Sequence, residues 1–227
     1  MTKFVLAIVF LISNVWPVPK ENLPEGFVYL LKIVPDIELE LRYFSSDNFV
    51  GATIDGYLDN KCIITGQAVR ALQDVQKELK SDGYGLKVFD AYRPQQAVDH
   101  FVRWAKDIDD AKMKEQFYPN IDKSVLFKEG YISAKSGHTR GSTVDLTIIY
   151  LEEHRKGQEL DMGTPWDFFS TLSWPASNEV TKEQKSNRML LQQVMLKHGF
   201  KGLKEEWWHF TLIEEPFPNT YFNFPVK

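Results

Sequence analysis

The stretch SGHTRGSTVDLTIIY occupies residues 136–150. Its second half, Ser142 to Tyr150, carries Val144, Leu146, Ile148 and Ile149 and predicts a strand with much of its surface buried. Asp145 lies inside that apolar run, between Val144 and Leu146. A buried carboxylate without a partner is unfavourable, so something must compensate it. Seven residues upstream, His138 stands between Gly137 and Gly141, which permit tight backbone turns. An odd offset cannot place both side chains on one face of a regular strand. The spacing therefore predicts His138 in a loop that folds back towards Asp145 on the strand. A divalent cation held by both would remove the penalty on Asp145; a direct His–Asp hydrogen bond is the alternative.

On either side of this stretch the chain mixes helices and strands without regular alternation. Ile37, Leu39 and Leu41 alternate with Glu38, Glu40 and Arg42, which predicts a half-buried strand within Val28 to Arg42. Thr65 to Lys80 has helical apolar spacing with Thr65 as its cap, and Ser81-Asp82-Gly83 ends it. Leu86 to Tyr92 predicts a strand. A second helix starts at Pro94, with Ala97, Val98, Phe101 and Ala105 on one side. Asp107 to Gly130 reads as a polar connection, and Leu151 to Pro175 as an irregular segment bordering a site. Lys182 to His198 predicts a third helix stopped by Gly199, and Trp207 to Ile213 a last strand. The expected fold class is α+β, a central and largely antiparallel sheet flanked by helices.

Composition narrows the function classes. The 227 residues are 43% hydrophobic and 26% charged, which suits one domain and argues against disorder. A formal net charge of -4 with no long run of Lys or Arg argues against a nucleic-acid partner. Met1-Thr2-Lys3 followed by the apolar run Phe4 to Ile12 matches a secretory signal peptide over residues 1–19, leaving one domain over 20–227. That address is periplasmic or secreted, or cytoplasmic if the leader is not a signal. No later stretch is apolar for long enough to anchor the chain after cleavage. Cys62 is the only cysteine, so an intramolecular disulfide and a thiolate zinc cluster are both excluded.

Any metal site must therefore use nitrogen and oxygen donors. His100, His154 and His198 have ordinary structural readings, whereas His209 lies in the tetrapeptide Glu206-Trp207-Trp208-His209. With His138 and Asp145 it would complete a set of three protein ligands, the number that leaves a catalytic zinc one open position. Glu206, at the irregular start of the last strand, would then serve as general base beside the metal. Arg93, between the strand and Pro94, would stabilise an oxyanion or hold a carboxylate; a surface salt bridge is the other reading.

Taken together, the motifs DNF (47–49), DGY (55–57), GYGL (83–86), DAYRP (90–94), YPNID (118–122), SGHTRGSTVDLT from 136, MGTPWDFF from 162, EWWHF from 206 and the closing FPVK resemble the D-alanyl-D-alanine dipeptidases, the VanX-type zinc peptidases. The resemblance runs from about Tyr43 to Lys227 and implies a Hedgehog/D,D-peptidase-like fold. It implies one zinc ion per chain held by His138, Asp145 and His209, with Glu206 as base and then acid and Arg93 stabilising the tetrahedral intermediate. It further implies substrate contacts from Ser136, Asp167, Tyr43 and Tyr57, with Asp167 receiving the free ammonium of a small dipeptide substrate. The leader and Gly137, where relatives can carry a side chain, are departures from the family pattern. A carboxypeptidase acting on peptidoglycan stem peptides and a non-catalytic cell-wall-binding module with a structural metal are the competing readings.

Overall fold

The computed structural model describes residues 23–227, so the leader at 1–19 lies outside the described residues. In chain order, strand β1 (Phe27–Tyr29) runs into the helical turn α1 (Leu30–Ile33), followed by strand β2 (Glu38–Leu39). Strand β3 (Ile63–Thr65) continues directly into helix α2 (Gly66–Ser81), and strand β4 (Tyr84–Asp90) follows. Helix α3 (Gln95–Lys106) and the short α4 (Lys114–Phe117) precede strand β5 (Thr143–Tyr150). Helix α5 (Lys182–Lys197) and strands β6 (Phe200–Gly202) and β7 (His209–Leu212) complete the order.

Five of the strands form one sheet in the order β2-β4-β5-β7-β6. Only the β2–β4 pair is parallel; β4–β5, β5–β7 and β6–β7 are antiparallel. β1 and β3 make a separate antiparallel pair. The class is α+β. β5 is the middle strand and is buried from Thr143 to Ile149, because a central strand with both faces covered meets no water. α2 packs against β4 and α5, and α5 also packs against β6.

The helix ends follow local chemistry. The Thr65 hydroxyl accepts from the Ala68 amide at the start of α2. Thr181 and Gln184 form a reciprocal capping box at the start of α5. Gly199, with φ of 85°, ends that helix in the left-handed conformation that suits glycine. Pro94 occupies the cap position of α3, with extended dihedrals, instead of its first turn.

Two sequence expectations need correction. The predicted strand within Val28 to Arg42 breaks into β1, α1, β2 and a 3₁₀ turn at Arg42–Phe44. Pro35 has no amide hydrogen for a ladder; before it Val28 and Tyr29 pair with Ile64 and Ile63, and after it Glu38 and Leu39 pair with Lys87 and Val88 in the other sheet. The polar connection after α3 is also more structured than its composition suggests. Buried Lys123 donates to the carbonyls of Asp107 and Asp110 at 2.6 and 2.8 Å. Its ammonium stands 4.0 Å from the centroid of the Trp104 ring, which ties the connection back to α3. Among the described residues no helix is long and apolar enough to cross a membrane.

Candidate metal centre and active site

Sheet register builds most of the site. Asp90 on β4 lies opposite Asp145 on β5, and Asp145 lies opposite His209 on β7. Opposed residues on neighbouring strands project to the same face, so two acids and an imidazole stand in one row. A register shift between Val88 and Asp90 precedes that row, as expected where a strand must re-aim a side chain.

His138 comes to the row from a 3₁₀ turn, Gly137–Arg140. The Ser136 hydroxyl accepts from the His138 amide at 3.3 Å and starts the turn. Gly141, at φ of 83°, closes it, and a Cβ there would stand 2.2 Å from the Phe27 ring. Gly137 is required for space: a Cβ would lie 2.8 Å from Thr143 Oγ1.

The result is a triangle of donors. His138 Nε2 is 3.2 Å from Asp145 Oδ1, His209 Nδ1 is 3.1 Å from the same oxygen, and the two nitrogens are 3.3 Å apart. Three donors at ~2.0–2.1 Å from a tetrahedral ion would lie about 3.3–3.4 Å from one another. Asp145 Oδ1 is buried yet accepts no hydrogen bond. His138 Nδ1 faces the Ala91 carbonyl at 2.7 Å, so that nitrogen carries the proton and Nε2 keeps its lone pair. Near-equal edges, an oxygen without a hydrogen-bond donor and a fixed tautomer fit a bound cation better than a structural His–Asp hydrogen bond.

Without an ion the three groups titrate differently, and binding one would displace the proton that Asp145 favours on His209. Burial pushes the Asp145 carboxyl up, but His138 and His209 outweigh burial and hold it well below the usual carboxylate range. Burial lowers His138 and keeps it neutral, the form a ligand must take. For His209 burial acts downward, and the Asp145 carboxylate more than offsets it, so its proton is held above the usual range.

Glu206 lies in the irregular segment before β7, its Oε2 3.4 Å from His209 Nδ1. Burial raises its carboxyl to about 7, against the opposing pull of His209. A group with that pKa can take and return a proton near neutrality.

Arg93 is not a surface ion pair. Its Nε donates to Asp90 Oδ2 at 2.9 Å, and its guanidinium lies 5.1 Å from the Tyr43 ring centroid and 5.2 Å from that of Phe101. Nη2 is 3.6 Å from Asp145 Oδ2. Asp167 lies across the same cavity and is the one non-glycine residue with positive φ, 59°, among those described. Its Oδ2 accepts from the Tyr43 hydroxyl at 2.7 Å, and burial pushes its carboxyl well above the usual range.

The cavity enclosed by these groups has a volume of about 250 Å³. Pockets for drug-sized ligands run to ~300–1,000 Å³, so this one suits a smaller molecule. His138, Asp145, His209, Glu206, Arg93, Ser136, Asp167 and Tyr43 all line it. Tyr57 stands next to this lining, its ring 5.6 Å from that of Tyr43. Its hydroxyl donates to Asp90 Oδ1 at 2.7 Å, and Asp90 in turn accepts from Arg93. The other histidines lie elsewhere: His100 accepts from the Asp55 amide, His198 meets Glu78, and His154 is exposed.

Two functional neighbours escape the sequence reading. Asp90, 1% exposed, links Tyr57 and Arg93 and lies 3.4 Å from His138 Nδ1. The signal was present, since an acid inside the apolar strand LKVFDAY poses the same question as Asp145. Trp166 donates through Nε1 to Asp145 Oδ2 at 3.4 Å, a contact that no local pattern reveals.

A cluster of ligand-type donors, a separate carboxyl poised near neutrality and an arginine, gathered in one small cavity, define the site of a metal-dependent hydrolase. The chain belongs to the D-ala-D-ala dipeptidase family, whose profile matches residues 24–227. It is 39% identical over 202 residues to the D-alanyl-D-alanine dipeptidase of Enterococcus faecalis, covering 89% of this chain and 98% of that one. It is 40% identical over 200 residues to the D-alanyl-D-alanine dipeptidase of Streptomyces coelicolor, with 88% and 98% covered. With the D-alanyl-D-alanine dipeptidase of Escherichia coli the identity is 33% over 185 residues, covering 82% and 83%.

Proposed function

We infer that this protein hydrolyses D-alanyl-D-alanine to two molecules of D-alanine, with zinc as its resident ion. The observation that carries the reading is the His138–Asp145–His209 triangle, with Glu206 beside it, in a chain of this family. The chain would hold the ion through His138 Nε2, His209 Nδ1 and Asp145. Zinc, when bound, lowers the pKa of the attacking water towards ~7 and polarises the substrate carbonyl.

The protein's own groups do the rest. Glu206 takes a proton from the water whose oxygen attacks the peptide carbon. Arg93, clamped by Asp90 and two aromatic rings, meets the negative charge that develops on the carbonyl oxygen. As the carbon–nitrogen bond breaks, Glu206 passes the proton to the departing amine. Asp167 and Tyr43 receive the ammonium of the first residue. An N-acylated peptide would leave the Asp167 carboxylate buried with only the Tyr43 hydroxyl and no cation to meet it, which disfavours longer substrates. Ser136, whose oxygen accepts from the His138 amide, keeps its hydroxyl proton free to donate to substrate.

Assaying D-alanine release from the free dipeptide and from an N-acylated stem peptide tests this reading. The free dipeptide should be much the better substrate; preference for the acylated one would make the protein a carboxypeptidase. We also propose that the protein is exported through the leader at 1–19. Mass spectrometry of the chain purified from its native host should find that segment removed, and an intact Met1 start would refute export.

A further inference from the structure

The carboxylate of Asp145 divides its two oxygens between different partners. Oδ1 faces the ring nitrogens of His138 and His209. Oδ2 accepts from the indole Nε1 of Trp166 at 3.4 Å and lies 3.6 Å from Arg93 Nη2. These two donors are not equivalent. Arg93 is a cation whose charge opposes that of the carboxylate, and it is the group that meets the charge developing on substrate. The indole is neutral and can only donate, so it orients an oxygen without cancelling its charge. Trp166 is also held in place: it is 2% exposed and stacks on Phe89, with centroids 5.3 Å apart and planes at 17°. The Tyr43 ring covers it at 5.0 Å. The next residue, Asp167, takes a φ of 59°, a strained conformation for a side-chain-bearing residue and one that gathers at functional sites. Two consecutive residues thereby serve one centre, Asp167 lining the cavity and Trp166 reaching the ligand.

We propose that Trp166 is a positioning residue of the metal centre: its indole N–H occupies Asp145 Oδ2, so that Asp145 offers the ion one oxygen, Oδ1, instead of both. A carboxylate that bound through both oxygens would crowd the position that a catalytic zinc leaves for water. Partners that orient a ligand in this way also strengthen its hold on the metal. The assignment rests on the metal centre of the reading above and does not depend on which substrate the cavity takes.

The test uses the full chain as wild type, as Trp166→Phe, and with Trp166 replaced by benzothienylalanine. That last side chain keeps the two-ring shape and puts sulfur where the N–H stands, so it removes the donor and leaves the packing. Zinc affinity is measured by competition with a coloured chelator. Cobalt(II) is then loaded in place of zinc, and its visible absorption reports the coordination number. Wild type should give the intense bands of a four-coordinate ion. Both replacements should weaken zinc binding about tenfold, as losing a partner behind a ligand does, and should dim the cobalt bands as the second oxygen joins. A purely structural role would leave the benzothienyl protein with wild-type affinity and spectrum, and that result would overturn the proposal. Wild-type behaviour in both replacements would do the same while leaving the metal centre standing. A wild-type protein that takes up neither ion would instead bring down the metal reading itself.

Discussion

Asp145 is surrounded by apolar neighbours on the middle strand and is nonetheless held ionised, because two imidazoles 3.1 and 3.2 Å away outweigh its burial. The same kind of competition at other residues gives distinct expectations. Arg93→Ala should keep the fold and the metal site but lose about 10²–10³ in kcat, the usual loss when one electrostatic stabiliser is removed. Near-normal turnover would exclude Arg93 from the reaction. Asp167 behaves oppositely in stability: its folded pKa is raised, so holding it ionised at neutral pH opposes folding. Asn tolerates the same positive φ, so Asp167→Asn should raise Tm by about 2–4 °C while lowering kcat/KM for the dipeptide at least tenfold. Scanning calorimetry beside the assay checks both signs. Glu206 must be ionised to accept a proton, so activity is lost as pH falls through its pKa. Burial sets that value at about 7, and a nearby cation can only lower it. The acid limb of kcat/KM should therefore lie at or below pH 7, and a limb clearly above it would remove Glu206 as the base.

The elements show why part of this was legible in the sequence. α2 and α5 announce themselves through caps, Thr65 and Thr181, and β5 through its continuous apolar run. β3 and β6 span only Ile63–Thr65 and Phe200–Gly202, too short for a period-2 signal to stand out. The segment 28–42 misled because alternation around Ile37 to Leu41 implied a longer ladder than Pro35 allows. His138, Asp145 and His209 could be grouped from residue chemistry, but the row Asp90–Asp145–His209 depends on register between strands far apart in sequence. The Tyr57–Asp90 hydrogen bond is hidden for the same reason, since only the packed sheet brings the two together. The turn carrying His138 makes its own prediction. Gly137→Ala would press a methyl group on Thr143 Oγ1, which already bonds Thr211 Oγ1 at 2.8 Å. We expect ~1–3 kcal/mol of destabilisation, as for overpacking elsewhere, together with weaker zinc binding because His138 is the next residue. Unchanged zinc affinity in a calorimetric titration would show that the turn absorbs the methyl group without moving the ligand.

At the scale of the whole molecule, the proposed ion joins a 3₁₀ turn, the middle strand and β7, so it would fasten together parts of the chain on either side of α5. A ligand that binds only the folded state stabilises it in proportion to its concentration over Kd, by about 2.7 kcal/mol at a hundredfold excess. Hydrolysis and stability should then respond to the same ion. The most direct test titrates zinc into metal-free protein while D-alanine release from D-alanyl-D-alanine is followed. The account predicts no turnover without metal, a linear rise and a sharp break at one equivalent per chain. Turnover that survives thorough chelation, or a break at any other stoichiometry, would contradict it.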